Sequence, residues 1–285
     1  MKLKLDQITF IIVTYKSESI IYNCLNSLPS ESKKIIIENS SNINLKNELK
    51  SKYDNIEVIL SENIGMGAGN NIGINSCKTK YAYVLNPDTT LYQSTLKNLI
   101  NELNVISDFS IASPLNDDPN FPNYKKSNSY NENPNILTVG SIDGFSMLIN
   151  LEKFSDKIFF DENFFLYLEN DDLCLRVKKR NQNIFIIKNS LIKHTGGISK
   201  KQDLEYLRNW HWMWSKFYFN KKHHGFYIAI CKIFFNLISA IIKYFIYSLI
   251  FNKHKKKIYK MRTFGLISSI LGKESYLRPE NKNNA

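Results

Sequence analysis

No two of the four cysteines, Cys24, Cys77, Cys174 and Cys231, stand close together in this chain of 285 residues. It therefore lacks the Cys-x-x-Cys pairs that hold zinc or run dithiol redox chemistry. Reduced thiols and a cytoplasmic setting are the expectation. No signal peptide is expected from Met1–Asp6, which is short and charged and is followed at once by a strand-like run, Ile8–Val13. No stretch repeats, which excludes a solenoid. Glycine is absent from residues 14–30, and the Gly-Lys-Ser/Thr of a P-loop does not occur. Acidic residues nearly vanish from the carboxyl-terminal stretch. Residues 221–285 hold 13 Lys or Arg against 2 Asp or Glu, which is +11 of the net +12. A basic chain can bind nucleic acid. Here the charge lies beside a long apolar segment, so an anionic membrane surface is the expected partner and nucleic acid is not.

What is present is enough apolar material, 43% of the chain, for a sizeable core. Buried-type strands are expected at Ile8–Tyr15, Lys34–Glu38, Ile56–Leu60 and Tyr81–Leu85. Helices are expected over 18–28, Met66–Cys77 and 92–104. Strands and helices alternating at this spacing predict βαβ units and a parallel sheet, with functional loops beyond the carboxyl ends of its strands. Residues 114–135 are polar and carry four prolines, which reads as a mobile surface loop. Strand-like sequence returns over 136–150, a helix is expected from Leu168 to Arg180, a strand over 183–188, and an aromatic-rich helix over 202–219.

Four segments carry the chemistry. Val13-Thr14-Tyr15 ends the first strand. Asn63-Ile-Gly65-Met-Gly67-Ala-Gly69-Asn70-Asn-Ile-Gly73 opens a helix, where free N–H groups favour an anion, although tight packing on a sheet explains the glycines equally well. Asn86-Pro87-Asp88 follows a buried strand. Asp88 could hold Mg²⁺ or Mn²⁺, which prefer oxygen ligands and bring phosphates with them, or it could cap the next helix. Glu169, Asp171 and Asp172 open another helix, where acids suit the dipole, yet three acids in four positions can also supply a general base. His194 follows downstream; a lone histidine is more often structural.

Taken together and in this order, the segments resemble family 2 glycosyltransferases of the GT-A fold, in particular the rhamnosyltransferase-like branch of bacterial envelope polysaccharide synthesis. The resemblance covers about residues 8–220. It implies an α/β, Rossmann-like nucleotide-sugar-binding domain over 1–222. Thr14, Tyr15 and Glu38 would hold the nucleotide, with Glu38 standing where aspartate is usual. Asn63, Gly65 and Asn70 would lie under the donor, with Asn86 and Arg208 near its phosphates. Asp88 and His194 would bind the divalent cation. The family's acidic motif commonly reads Glu-Asp-x-Asp-Leu-Cys; here it is Glu169-Asn170-Asp171-Asp172-Leu173-Cys174. Asn170 occupies the place of the catalytic aspartate, and an amide is no base, so that role passes to Glu169, Asp171 or Asp172, with Glu169 favoured. The implied reaction is inverting transfer from a nucleoside-diphosphate sugar, such as dTDP-rhamnose, to a glycan or lipid-linked hydroxyl. Two rivals remain. One is a catalytically silent nucleotide-sugar-binding protein, which Asn170 favours. The other is a nucleotidyltransferase, which should carry a basic glycine-rich signature near the amino terminus, where residues 14–30 have no glycine.

Residues 223–285 are expected to form a basic amphipathic helical tail. Gly225–Phe251 is long enough to span a bilayer. Lys232, Asn236, Ser239, Lys243 and Tyr247 recur at helical spacing on one face, however, and predict a helix lying in the interface with that face at the water. The protein would then sit peripherally on the inner face of the cytoplasmic membrane.

Overall fold

The chain is described by a computed structural model over residues 2–106, 108–127, 133–196 and 202–275. The Gly197-Ile198-Ser199 end of the histidine segment, residues 128–132 of the proline-containing segment and the last ten residues of the tail lie outside these. By internal contacts the chain forms two units, one of Met1–Asp161 with Asn170–Gly196 and one of Glu162–Glu169 with Gly197–Ala285.

The first unit is built on β1 (Ile8–Thr14), whose seven residues are all buried. A strand buried on both faces must be apolar throughout, and this one is nearly so. It pairs in parallel with β2 (Lys33–Glu38), which pairs in parallel with β3 (Ile56–Leu60). On its other side lies β4 (Tyr81–Leu85), also parallel. The helices α1 (Ile21–Asn26), α2 (Ile43–Lys52) and α3 (Met66–Ser76) supply the crossovers. The sequence reading did not include α2. Its inward residues are only Leu45 and Leu49, too few for a visible stripe, although Asn42 caps it by accepting from Leu45 N at 3.0 Å.

Beyond β4 the sheet is mixed rather than parallel. After β5 (Thr89–Leu91), α4 (Thr95–Ile106) leads into β6 (Ile111–Asn116), β7 (Tyr124–Lys126), β8 (Ile136–Ile142) and β9 (Ser146–Asn150). The order is β3-β2-β1-β4-β9-β6-β10-β8-β7, with β10 running Ile184–His194. Strand β9 lies antiparallel between β4 and β6. All five of its residues are buried, and such a strand gives no sequence sign of its direction.

The 114–135 segment differs from a mobile loop over its described residues. Pro114 lies within β6, and Asn123 is fully buried as a hub. Its Nδ2 donates to Pro114 O at 2.9 Å, and its Oδ1 accepts from Asn116 N at 3.0 Å. A buried amide paired at both ends holds a segment that its polar composition makes look loose.

The second unit contains α6 (Gln202–His224), α7 (Phe226–Leu249) and α8 (Lys253–Ile270). It takes in α6, which the sequence reading places in the catalytic domain. Met213, Phe217, Ala229, Ile233 and Leu266 form its core. A Cβ on Gly265 would stand 2.3 Å from Trp210 O, so glycine there permits the close crossing of α8 on α6. Trp210 and Trp214 are buried and Trp212 is exposed.

The polar stripe of α7 is placed differently from the expectation. Asn236 Oδ1 accepts from Lys216 Nζ of α6 at 2.9 Å. Lys243 lies over the ring of Tyr259 on α8, and Tyr247 stacks on the same ring. Neighbouring helices offer Asn236 and Tyr247 partners, so these turn inward, while Lys232 and Lys243 are exposed and the apolar side of α7 faces out.

Candidate active site

Strand register brings the first candidate residues together. Thr14 is paired with Glu38, and Ile12 with Leu85, so the carboxyl ends of β1, β2 and β4 line up. Parallel sheets bind ligands at that end. Thr14 and Glu38 are buried, and Tyr15 is half-buried. The Glu38 carboxylate accepts from Ser40 N at 3.2 Å and also from Ser40 Oγ and Asn42 N, so it shapes the loop that follows β2. Gly65, with φ of 101°, starts α3, and its carbonyl accepts from Asn39 Nδ2 at 3.1 Å. Asn63 is half-buried and Asn70 is buried.

The glycines further along α3 have a packing role. A Cβ on Gly69 would meet Val13 at 2.9 Å, and one on Gly73 would meet Ile11 Cγ2 at 2.4 Å. Asn71, absent from the sequence-based candidates, bonds the Phe160 backbone through both ends of its amide, at 2.8 and 3.0 Å.

Asp88 and His194 are 106 positions apart, and one short pairing unites them. Strand β10 runs past the expected residue 188, through a register shift between Ile187 and Leu191, and pairs with β5 so that His194 faces Thr89. This places His194 Nε2 3.3 Å from Asp88 Oδ1. Thr195 N and Oγ1 donate to Asp88 O at 3.1 and 3.0 Å, and the His194 ring stacks on Phe145 at 4.0 Å. Asn86 N donates to Phe145 O at 2.9 Å, so the same residue braces both sides of the element. Cys24 Sγ lies under the Asn86 carbonyl, its thiol pushed up to about 12 by burial, which makes it a packing group rather than a nucleophile.

The residues present suit a divalent cation. Asp88 Oδ1 is buried and accepts no hydrogen bond, and an imidazole nitrogen stands beside it. Among the described residues no group of three or more His, Cys, Asp or Glu could hold a metal. A carboxylate completed by diphosphate oxygens and water is what Mg²⁺ sites commonly use.

The acidic helix, α5 (Glu169–Lys179), divides its acids among different tasks. Asp172 is fully buried and pairs with Arg176 Nε at 2.9 Å. That guanidinium also holds the carbonyls of Ile158 and Phe159, so Asp172 anchors the preceding loop. Asp171 pairs with Lys125 Nζ through both oxygens at 2.7 Å. Asn170 Nδ2 donates to Ile142 O at 2.8 Å, and its Cβ would lie 3.3 Å from a Cβ on Gly144. An aspartate in that place would set a carboxylate oxygen against a carbonyl oxygen, which accounts for the amide.

Asp143 was missed by sequence reasoning. Burial and the charge of Asp171 push its carboxyl above the ordinary aspartate range, while Lys125 and His194 draw it back. It begins the Asp143-Gly144-Phe145 connection, which touches Asn170 on one side and His194 on the other. The available signal was an acid beside glycine between two strand-like runs.

Glu169 and Arg208 belong to the second unit. Glu169 is buried. The two residues before it, Tyr167 and Leu168, have φ of 71° and 67°, left-handed values that cost non-glycine residues about 1–3 kcal/mol each. Tyr167 packs edge-on against Trp212. Its phenol is pushed up by burial and by the Glu169 charge, and Arg208 opposes the shift, so these groups act on one another. Asn209 bonds within α6, to Glu205 O at 3.0 Å.

Residues 9–174 match Glycosyl transferase family 2. The chain belongs to glycosyltransferase family 2. The family 2 chain is 28% identical over 201 residues to the low-salt glycan biosynthesis hexosyltransferase Agl10 of Haloferax volcanii. That likeness covers 63% of this chain and 64% of the relative, so the chain spans under two thirds of the curated protein it matches. Among the solved structures that share the fold are two with bound nucleotide. One is the mannosyltransferase PcManGT from Pyrobaculum calidifontis with GDP-Man and Mn²⁺, at TM-score 0.59 and 11% identity over 94% of this chain and 88% of that one. The other is GalNAc-T7 with UDP, GalNAc and Mn²⁺, at TM-score 0.57 and 12% identity over 82% of this chain and 58% of that one. The fold is therefore α/β of the GT-A type, as the sequence reading expects.

Proposed function

We propose that this family 2 chain is an inverting, cation-dependent glycosyltransferase that moves a sugar from a nucleoside diphosphate to a hydroxyl of a glycan or lipid-linked acceptor in envelope glycan assembly. The observation that carries the reading is the Asp88–His194 pair, set by the β5–β10 pairing in a sheet whose β1, β2 and β4 end together at the side where parallel sheets bind ligands. The Haloferax relative is named a hexosyltransferase. A hexose is the donor class that follows, and rhamnose, a 6-deoxyhexose, lies within it.

Asp88 and His194 would hold Mg²⁺ or Mn²⁺. When bound, such an ion supplies positive charge that stabilises a departing diphosphate. By the family resemblance, Arg208 is the cation expected for a donor phosphate. Glu169 takes the acceptor's proton as the hydroxyl oxygen bonds to the anomeric carbon. The bond from that carbon to the diphosphate oxygen breaks in the same displacement, and the nucleoside diphosphate leaves with the electron pair. Asp172, joined to Arg176, positions the helix, and Asp171 with Lys125 and Asp143 lines the site.

The test begins with a thermal-shift screen of nucleotide sugars with Mg²⁺ or Mn²⁺, followed by turnover of the donor that binds and NMR of the product's anomeric centre. Asp88→Asn should lose most activity with little change in melting temperature. Glu169→Gln should bind donor and not turn over. Full activity of Asp88→Asn or in excess EDTA would refute the metal role. Active Glu169→Gln beside dead Asp171→Asn would move the base to Asp171. Donor binding by the unaltered chain with no transfer to any hydroxyl acceptor would instead make it a binding protein.

A further inference from the structure

The apolar side of α7 is uncovered. Tyr227 is 84% exposed, Phe235 79%, Leu249 77% and Phe251, just past the helix, 88%. Tyr227, Phe235, Ile238, Ile242, Phe245 and Leu249 recur at helical spacing, so they form one stripe along the full length of the helix. Opposite them, Ala229, Ile233 and Ala240 are buried. Contiguous apolar surface on this scale marks a binding face.

The surroundings of the stripe are cationic. Between Glu205 and Glu274 the chain has no acidic residue. Lys232 and Lys243 of α7 are exposed to one side of the stripe, and on the inner side of the helix Tyr247 and Tyr244 meet Lys255 Nζ at 5.1 Å and Lys256 Nζ at 5.6 Å from α8. Lys253, Lys257 and Lys260 are exposed on the same helix. An apolar face rimmed by cations complements a surface that is apolar inside and anionic at its edge. Two copies of this face would bring lysines against lysines.

From this placement we propose that α7 is a monotopic docking helix, its exposed stripe lying in the headgroup–acyl boundary of an anionic bilayer with Lys232 and Lys243 at the phosphates. A spanning α7 is disfavoured by its packing. Its inner side is held by α6 and α8, through the Lys216–Asn236 bond and the Tyr247–Tyr259 stack. Crossing the bilayer would draw the lysines of those helices into hydrocarbon or strip α7 from them. Lying in the interface keeps the packing and wets the charges. The proposal does not depend on the transferase reading.

Cys231 provides a probe. It falls between Tyr227 and Phe235 on the same stripe and is exposed, whereas Cys24 and Cys174 are buried and Cys77 is partly buried. The full chain carrying Cys77→Ser is labelled at Cys231 with an environment-sensitive fluorophore. It is then added to preformed vesicles of phosphatidylcholine, with or without phosphatidylglycerol. The label should brighten and shift blue with the anionic vesicles at low salt, and lose most of that change at high salt. Nitroxide lipids should quench it more from the upper acyl chain than from the chain end. Replacing Lys232 and Lys243 with Gln should weaken binding by about fivefold per lysine, roughly twenty-five-fold in all. Phe235→Glu with Ile242→Glu should abolish binding, with the circular dichroism unchanged because both side chains are already exposed. Three results would overturn the proposal. One is a label indifferent to anionic vesicles. Another is quenching strongest from the chain end, which means a span. The third is a dimer in sedimentation that Phe235→Glu splits without any effect on vesicles, which means the face joins two copies.

Discussion

Gly73→Ala separates the two meanings of the glycine-rich helix. In an open helix this change stabilises by about 1 kcal/mol, because glycine has the poorer helix propensity. Here the new methyl would stand 2.4 Å from Ile11 Cγ2. Ile11 has little room to yield. It is fully buried, β-branched, and on a strand hydrogen-bonded on both sides. Overpacking of this kind costs about 1–3 kcal/mol, and so short a contact belongs at the upper end. The net loss should be about 2 kcal/mol, a fall in melting temperature of roughly 4–8 °C for a domain of this size. Urea unfolding followed by circular dichroism checks it. In an Ile11→Ala background the obstructing methyls are gone, and Gly73→Ala should become stabilising by about 1 kcal/mol. Refutation would be a neutral or stabilised single variant, or no reversal of sign in the pair. Unchanged stability with lost donor binding would show that the glycine is kept for close approach of the nucleotide.

Other outcomes follow from the same contacts. Asn170→Asp exchanges a donor to Ile142 O for an acceptor, and should destabilise by about 1–3 kcal/mol at neutral pH, with recovery in acid as the carboxyl protonates; a melting series against pH checks it. Asp143 titrates above its ordinary range when folded, so folding binds its proton more tightly, and its unfavourable contribution grows as pH rises from the ordinary aspartate range through the raised value. Asp143→Asn should therefore raise the melting temperature at neutral pH and leave it nearly unchanged in acid. Arg176→Ala removes the guanidinium that holds Asp172 and the carbonyls of Ile158 and Phe159 and should cost about 3–5 kcal/mol, read by urea unfolding. Maleimide at neutral pH should modify Cys231 first and spare Cys24 and Cys174, whose thiols are pushed up to about 12 by burial; peptide mass mapping reads this directly.

The parts of the fold legible in the sequence are those governed by local rules. Strands β1 to β4 are short apolar runs between turn residues, and α3, α5 and α6 sit where the helical spacing places them. Helix α2 escaped notice because two leucines do not make a stripe. The direction of β9 was not legible, because a doubly buried strand looks the same either way. The meeting of Asp88 with His194 depends on three ladder pairs far apart in sequence, and only the family resemblance pointed to it. Resemblance could not say why residue 170 is an amide. That follows from one carbonyl, Ile142 O, supplied by a neighbouring strand.

The tryptophans have a spectroscopic consequence. The chain has three, Trp210, Trp212 and Trp214, all within two turns of α6. Emission excited selectively in indole therefore reports the helical unit alone, and the sheet contributes only through tyrosine. Trp214 Nε1 donates to Lys273 O at 2.9 Å just past α8, so a rearrangement of the tail should change the emission before any strand is disturbed. Unfolding followed by indole emission and by circular dichroism should give one curve if the two units melt together and two if they do not. The unlabelled chain thus carries its own reporter of how independently its two halves are stable.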